Sequence, residues 1–389
     1  MSPSPARSAL RVLAKTAGVL ALTAAAGVAA LTAAAILSPW PSALIIRRAF
    51  TKGGWATNDA LASLVPDGVT SVLNIAYRPG DDDALLDIHR PTPEASPQNL
   101  PTIVWIHGGG WVAGSKDETA NYLRILAAEG FVVVALNYTL APRGRYPLPL
   151  QQVRDALGYL TEHASDLDVN MTTLVLAGDS AGSQIAAQVA LAVVDEDYAQ
   201  RIDLPVPLPA SSLKAALLHC GAYDLAGAAT HSTDVATHST DVATHSKGAA
   251  THSKDTASPQ ARRAASAGAW FQFAVLWAYS GSKHYLDDPR FREASVLEYV
   301  TASFPPTFLS GGNADPLTPQ GKSFAHALHA AGVEVTAEFA ADDHEPRLGH
   351  EYQFDLHSPD GAATTAAALA FLRRHAQIPP GEAFPALPA

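Results

Sequence analysis

The stretch Gly178-Asp179-Ser180-Ala181-Gly182 lies directly after an apolar run, Thr172 to Ala177, and directly before a helix-like run, Gln184 to Val194. A strand, Gly-x-Ser-x-Gly and a helix in that order describe a sharp turn that lifts a serine hydroxyl clear of a sheet edge. A turn this tight requires the glycines, which accept strained φ/ψ and leave no side chain in the way. The N–H of the next residue, Ala181, then points into the same space as the hydroxyl. The pentapeptide by itself also fits an ordinary strand–helix turn, so the rest of the chain decides.

Working outward, apolar segments of strand length alternate with segments of helical spacing. Val69 to Tyr77, Leu85 to His89, Thr102 to Ile106, Phe131 to Tyr138, Leu213 to Cys220, Thr307 to Ser310 and Val333 to Phe339 read as strands. Glu118 to Glu129, Pro147 to His163, Pro319 to Ala331 and Gly361 to His375 read as helices. Such alternation implies an α/β fold, a mostly parallel central sheet with helices on both faces. Trp270 to Tyr279, aromatic and apolar, fits either a lid over a site or a plain core helix.

Two regions stand apart. Arg7, Arg11 and Lys15 precede 25 uncharged residues, Thr16 to Trp40, rich in Ala, Leu and Val. A helix crosses a bilayer with about 20 residues, whereas cleavable signal cores are about 7–15 residues long. The reading is therefore an N-terminal hydrophobic helix that stays as a membrane anchor in residues 1–45, ahead of a domain spanning 60–389. Ala-x-Ala tripeptides within it leave cleavage open. Basic residues flank the span on both sides, so charge does not set its orientation. The N-terminal basic–apolar layout is that of export and places the domain outside the cytoplasm. Thr230 to Asp255 is a seven-residue repeat beginning Thr-His-Ser, without large apolar residues. It reads as a solvated insertion near the cap region that cannot order itself. Its His231, His238, His245 and His252 are poor metal ligands on such a segment.

The net charge of −11 and the lack of a basic face exclude a nucleic-acid partner. The single cysteine, Cys220, cannot form an intrachain disulfide and reads as a small buried strand residue.

A serine needs a base to take its proton and donors to hold the charge that develops on a substrate oxygen. For donors, His107-Gly108-Gly109-Gly110-Trp111 follows the strand Thr102 to Ile106 and leaves backbone N–H groups open to a carbonyl oxygen. For the acid, Asp315 follows the strand Thr307 to Ser310 and so faces the same sheet edge as Ser180, with Asp342 and Asp343 as competitors. For the base there are two candidates, His344 and His350.

Taken together, His107-Gly108-Gly109-Gly110, Tyr138-Thr139-Leu140-Ala141-Pro142, Gly178 to Gly182, Asp315-Pro316-Leu317 and a late histidine resemble the hormone-sensitive-lipase-like esterases of the α/β-hydrolase fold. The likeness spans roughly residues 102–354. It implies a carboxylesterase or lipase-like serine hydrolase acting on a small-molecule ester, without cofactor or metal. An amidase or formamidase on the same scaffold, or a non-catalytic binding protein, are the alternatives. It implies a catalytic triad of Ser180, Asp315 and His350, and an oxyanion hole from the N–H groups of Gly108, Gly109 and Ala181. His350 is preferred because Gly349 precedes it and an aromatic segment follows. His344, the runner-up, fits the usual interval from Asp315 better. Two positions depart from the family: Ser183 stands where a glycine is frequent, and His350 is followed by Glu351-Tyr352 rather than Gly-Phe.

Overall fold

A computed structural model describes Gly27 and residues 33–92, 99–225 and 259–376. Eight strands form one sheet in the order β1-β2-β4-β3-β5-β6-β7-β8. They are Val69–Ala76 (β1), Leu85–Pro91 (β2), Pro101–Ile106 (β3), Val132–Leu136 (β4), Asn170–Asp179 (β5), Leu213–His219 (β6), Thr307–Gly311 (β7) and Val335–Phe339 (β8). The first two pairings, β1 with β2 and β2 with β4, are antiparallel, and the rest are parallel.

The central strands are continuously apolar because both faces are covered. Alternate residues of β3, β4, β5 and β6 go to opposite cores. Val104, Ile106, Val134, Leu174, Leu176, Ala216 and Leu218 pack under the helices Leu148–Glu162 and Ala181–Val194. Ile103, Trp105, Val133, Val175, Ala177 and Leu217 pack under Ala120–Ala128 and Pro359–His375. The helix Ala181–Val194 is buried from Ala181 through Ala192, which explains why it carries no charged residue. Every loop of interest leaves the sheet at the carboxyl ends of the parallel strands, the edge where sites form in such folds.

The helix Trp40–Ala60 crosses the boundary read between an anchor ending at 45 and a domain starting at 60. Its Ala43 and Ile46 are buried in the domain core. Arg47 donates to the carbonyls of Val112 and Ala141 at 2.6 and 2.8 Å. The Asn58 side chain accepts from Asn121 N–H at 2.8 Å and so caps the helix Ala120–Ala128. In the sequence Arg47 looks like a charge flanking a membrane span; in the fold it serves two backbone oxygens. Among the described residues no helix is long and apolar enough to cross a membrane. Most of Thr16 to Trp40, and all of Thr230 to Asp255, lie outside the described residues.

Candidate active site

β5 ends at Asp179, and the helix begins at Ala181, leaving Ser180 at φ 50° and ψ −119°. A serine rarely adopts positive φ, and here the surroundings impose it. Ser180 N–H donates to His219 O at 2.9 Å. A Cβ on Gly182 would sit 2.0 Å from Ile106 O, and one on Gly178 2.6 Å from the same oxygen. β3 therefore presses against the turn so closely that only glycine fits at either flank. Ser183, at the family's frequent glycine, places its hydroxyl 2.7 Å from both Gly178 O and His219 O and braces the turn from below.

His350 lies with Nε2 2.9 Å from Ser180 Oγ and Nδ1 2.9 Å from Asp315 Oδ1. A carboxylate only accepts, so Nδ1 carries the hydrogen, and Nε2 accepts from the serine. Asn313 places this loop. Its side chain accepts from Leu348 N–H and donates to His344 O, both at 2.8 Å, stitching the segment that follows β8 onto the one that follows β7. The same stitching turns the His344 ring away, and its Nε2 lies 3.0 Å from Asp360. Asp342 pairs with Lys322 on the surface, and Asp343 is exposed.

Burial opposes charging of His350, but the Asp315 hydrogen bond and the nearby Glu351 work the other way, and the imidazole is raised above its ordinary value. Cys220 is buried as read, yet it is no generic core residue. Its sulfur and the ligating atoms of Asp315 and His350 lie within 4.8 Å of one another. Burial pushes the thiol up to about 11, so it stays protonated near neutral pH. Those three groups are the metal-ligand cluster among the described residues, but both His350 nitrogens are already engaged by Asp315 and Ser180.

The glycine loop differs from the expectation at one residue. Gly108 N–H is not open to substrate; it donates to Asp179 Oδ2 at 2.8 Å, deep beneath the turn. The chain then turns through Gly109 at φ 102° and Gly110 at φ 59°. The N–H groups of Gly109, Gly110 and Ala181 have no acceptor among the described residues. The open donors are thus displaced by one residue, from Gly108/Gly109 to Gly109/Gly110, because Asp179 occupies the first.

Several buried contacts fix this loop. The His107 ring stacks on Tyr138 at 4.4 Å, and its Nδ1 meets Gly108 O at 2.8 Å. Burial pushes His107 down to about 4, so it is neutral. The Tyr138 hydroxyl donates to His107 O at 3.1 Å. Over the loop lies the helix Pro259–Ser280: a Cβ on Gly110 would be 3.3 Å from Val275 and 3.5 Å from Phe271. The segment read as either lid or core is both, its inner side covering the glycine loop and its Trp270 and Phe273 exposed.

Two acidic residues at the site escaped the sequence reading. Asp179, the variable position of the pentapeptide, accepts from Trp105 Nε1 at 2.9 Å as well as from Gly108. Burial first, then the neighbouring Glu351, push its carboxyl well above the usual range. Glu351 holds φ 61° and brings Oε1 to 3.7 Å from His350 Nε2. The one available signal was Glu351 itself, an acid where the resembled family has glycine.

Comparison with known proteins agrees with this architecture. A family model described as an alpha/beta hydrolase fold matches residues 103–345. Esterase LipQ of Mycobacterium tuberculosis is 26% identical over 268 residues, covering 68% of this chain and 54% of that protein. The chain thus spans about half the length of that curated relative. Among solved structures, esterase B of Lactobacillus rhamnosis superposes with a TM-score of 0.65 at 20% identity, covering 86% of this chain and 96% of that one. An esterase of Pyrobaculum calidifontis gives 0.62 at 22% identity, covering 85% and 93%. At these identities the structural likeness speaks for the fold.

Proposed function

The chain belongs to the α/β-hydrolase family, and from that premise we propose that it is a serine hydrolase cleaving carboxylic esters through an acyl-enzyme on Ser180. The observation that carries the proposal is His350, bonded at 2.9 Å to Ser180 on one side and to Asp315 on the other. In this reading His350 Nε2 takes the Ser180 proton as Oγ attacks the ester carbonyl. The resulting oxyanion settles among the N–H groups of Gly109, Gly110 and Ala181, and each such donor contributes roughly 10²–10³ in rate. His350 then hands the proton to the departing alcohol, leaving the acyl group on Ser180, and a water activated by the same imidazole releases it. Asp315 holds the tautomer and stabilises the imidazolium. The esterase relatives support this choice of substrate. Active-site labelling with a fluorophosphonate tests it: an adduct on Ser180, lost in Ser180→Ala together with turnover of a short-chain p-nitrophenyl ester, is the expected result. Well-folded protein that takes no label would overturn it.

We further propose that the N-terminal segment attaches the protein to a membrane with the domain outside the cytoplasm. In support, the 25-residue uncharged stretch runs directly into a helix whose exposed side shows Trp40, Leu44, Ile45, Arg48, Lys52 and Trp55. Tryptophan with basic and aliphatic residues suits a membrane–water interface. Removing residues 1–38 should release the protein to the soluble fraction, and external protease should reach the domain in intact cells. Persistent membrane binding or full protection would argue against the two parts in turn.

A further inference from the structure

During acylation the proton carried by His350 Nε2 goes to the leaving oxygen, so the alcohol part of the substrate passes this nitrogen. Glu351 Oε1 lies 3.7 Å from it. On its other side this oxygen borders the glycine loop, where a Cβ on Gly108 would come within 3.1 Å of it. The Glu351 side chain is about one-third exposed, so it faces the open site rather than the core. Its backbone is left-handed at φ 61°, a conformation that costs an ordinary residue about 1–2 kcal/mol. Among the described residues no Lys or Arg pairs with Glu351 or with the adjacent Asp179. Asp179, whose carboxyl burial pushes well above the usual range, lies beside Glu351 against Gly108. An acidic oxygen is thus fixed where the leaving alcohol must lie, and beside the imidazole of His350 it has no Lys or Arg partner among the described residues.

We propose that Glu351 is a specificity residue that selects esters whose alcohol part carries a positive charge close to the ester oxygen. The proposal rests on the esterase reading above and deepens it by naming the substrate class. A cation held about 5 Å from the carboxylate near a protein surface gains enough to change relative rates roughly tenfold.

The test compares two aryl butyrates of one shape, 3-(trimethylammonio)phenyl butyrate and 3-tert-butylphenyl butyrate, on the full chain. The quantity read is the ratio of their kcat/KM values, taken for the parent protein, for Glu351→Gln and for Glu351→Gly. Comparing variants cancels the difference in intrinsic leaving-group reactivity. The glycine variant relieves the left-handed backbone and so keeps the test open if the glutamine variant folds poorly. The expected result is a roughly tenfold fall in the cationic-to-neutral ratio in both variants. The parent's ratio should also fall toward theirs at ~1 M salt, where screening acts within about 3 Å. A ratio unchanged within about twofold in both variants would overturn the proposal. Failure of the esterase reading looks different: neither ester is hydrolysed, and Ser180 takes no fluorophosphonate.

Discussion

Removing the Asp179 carboxyl should cost both stability and rate, by amounts that can be worked out from its two donors. The side chain is buried, and it is the acceptor for Trp105 Nε1 at 2.9 Å and Gly108 N–H at 2.8 Å. Asp179→Ala leaves both N–H groups without a partner where water does not reach. Each orphaned donor costs about 1–3 kcal/mol, so the variant should lose about 2–6 kcal/mol from a domain total of about 5–15. Asp179→Asn keeps one carbonyl oxygen but turns an NH₂ toward the other donor, so it should lose about half as much. The same change frees Gly108, whose anchoring sets the direction of the Gly109 and Gly110 N–H groups. Losing the alignment of one such donor lowers kcat roughly 10²-fold. Urea unfolding gives the first quantity and ester hydrolysis at saturating substrate the second. A double-mutant cycle with Trp105→Phe sharpens the test. That change deletes one of the two donors, so the double variant should be less destabilised than the sum of the singles by about 1–3 kcal/mol. An Asp179→Ala protein with parental midpoint and kcat, or strict additivity in the cycle, would refute the reasoning.

His350→Ala should lower kcat/KM by three or more orders of magnitude (roughly the worth of a triad base). His344→Ala should leave it within severalfold and cost at most about 1 kcal/mol, since its pair with Asp360 at 3.0 Å is partly exposed; kinetics on the two variants decide the base. A base must be neutral, and His350 is raised above its ordinary 6.5, so kcat/KM should climb with pH through a midpoint above that value. Asp315→Asn should move the midpoint down and cut kcat by roughly 10⁴, a profile that a purely structural aspartate would not produce. Burial pushes His89 and His107 down to about 4 and His219 down to about 3. A depressed histidine favours the folded state above the unfolded value near 6.5 and loses that contribution as pH falls below it. Each should cost about 2 kcal/mol at pH 5, so urea midpoints flat from pH 7 to pH 5 would count against their burial.

The order of elements was legible because the central strands are covered on both sides. Continuous runs such as Val132–Leu136 and Leu213–His219 have few other fates. The turn at Ser180 was legible because backbone crowding by Ile106 O admits only glycine at 178 and 182, and that requirement is written as letters. What decides which glycine N–H stays open is not: it depends on Asp179 reaching across from a different strand to take the first one. The choice between His344 and His350 rested on local flavour, a preceding glycine and following aromatics. In the fold it rests on Asn313, which no spacing rule singles out. The helix Trp40–Ala60 was missed because an apolar segment followed by arginines resembles the end of a membrane span whether or not one arginine turns inward.

Backbone strain ties these features together. Eight non-glycine residues among the described ones have positive φ. Four are Asn or Asp (Asn74, Asn99, Asp168 and Asp203), residue types that tolerate this region in ordinary turns. The other four are Trp111, Ser180, Cys220 and Glu351, and all four stand around one reacting centre. A residue held in a sparsely populated backbone region costs about 1–3 kcal/mol, so strain is concentrated there and must be held by neighbouring contacts. Those contacts are identifiable. Trp111 stacks on Tyr279 at 4.8 Å and donates to Gln184; Ser180 N–H is tied to His219 O; Cys220 N–H is tied to Ser310 O. Glu351 lies beside Asp179, the residue that also fixes Gly108. A fold under no functional demand would shed this strain by placing glycine at all four positions. At three of them the side chain has an evident use: a stacking ring under the glycine loop, the hydroxyl itself, and a carboxylate beside the base. Cys220, whose sulfur lies within 4.8 Å of both Asp315 and His350, is the fourth, and by the same logic its side chain belongs to the packing that keeps the imidazole in line.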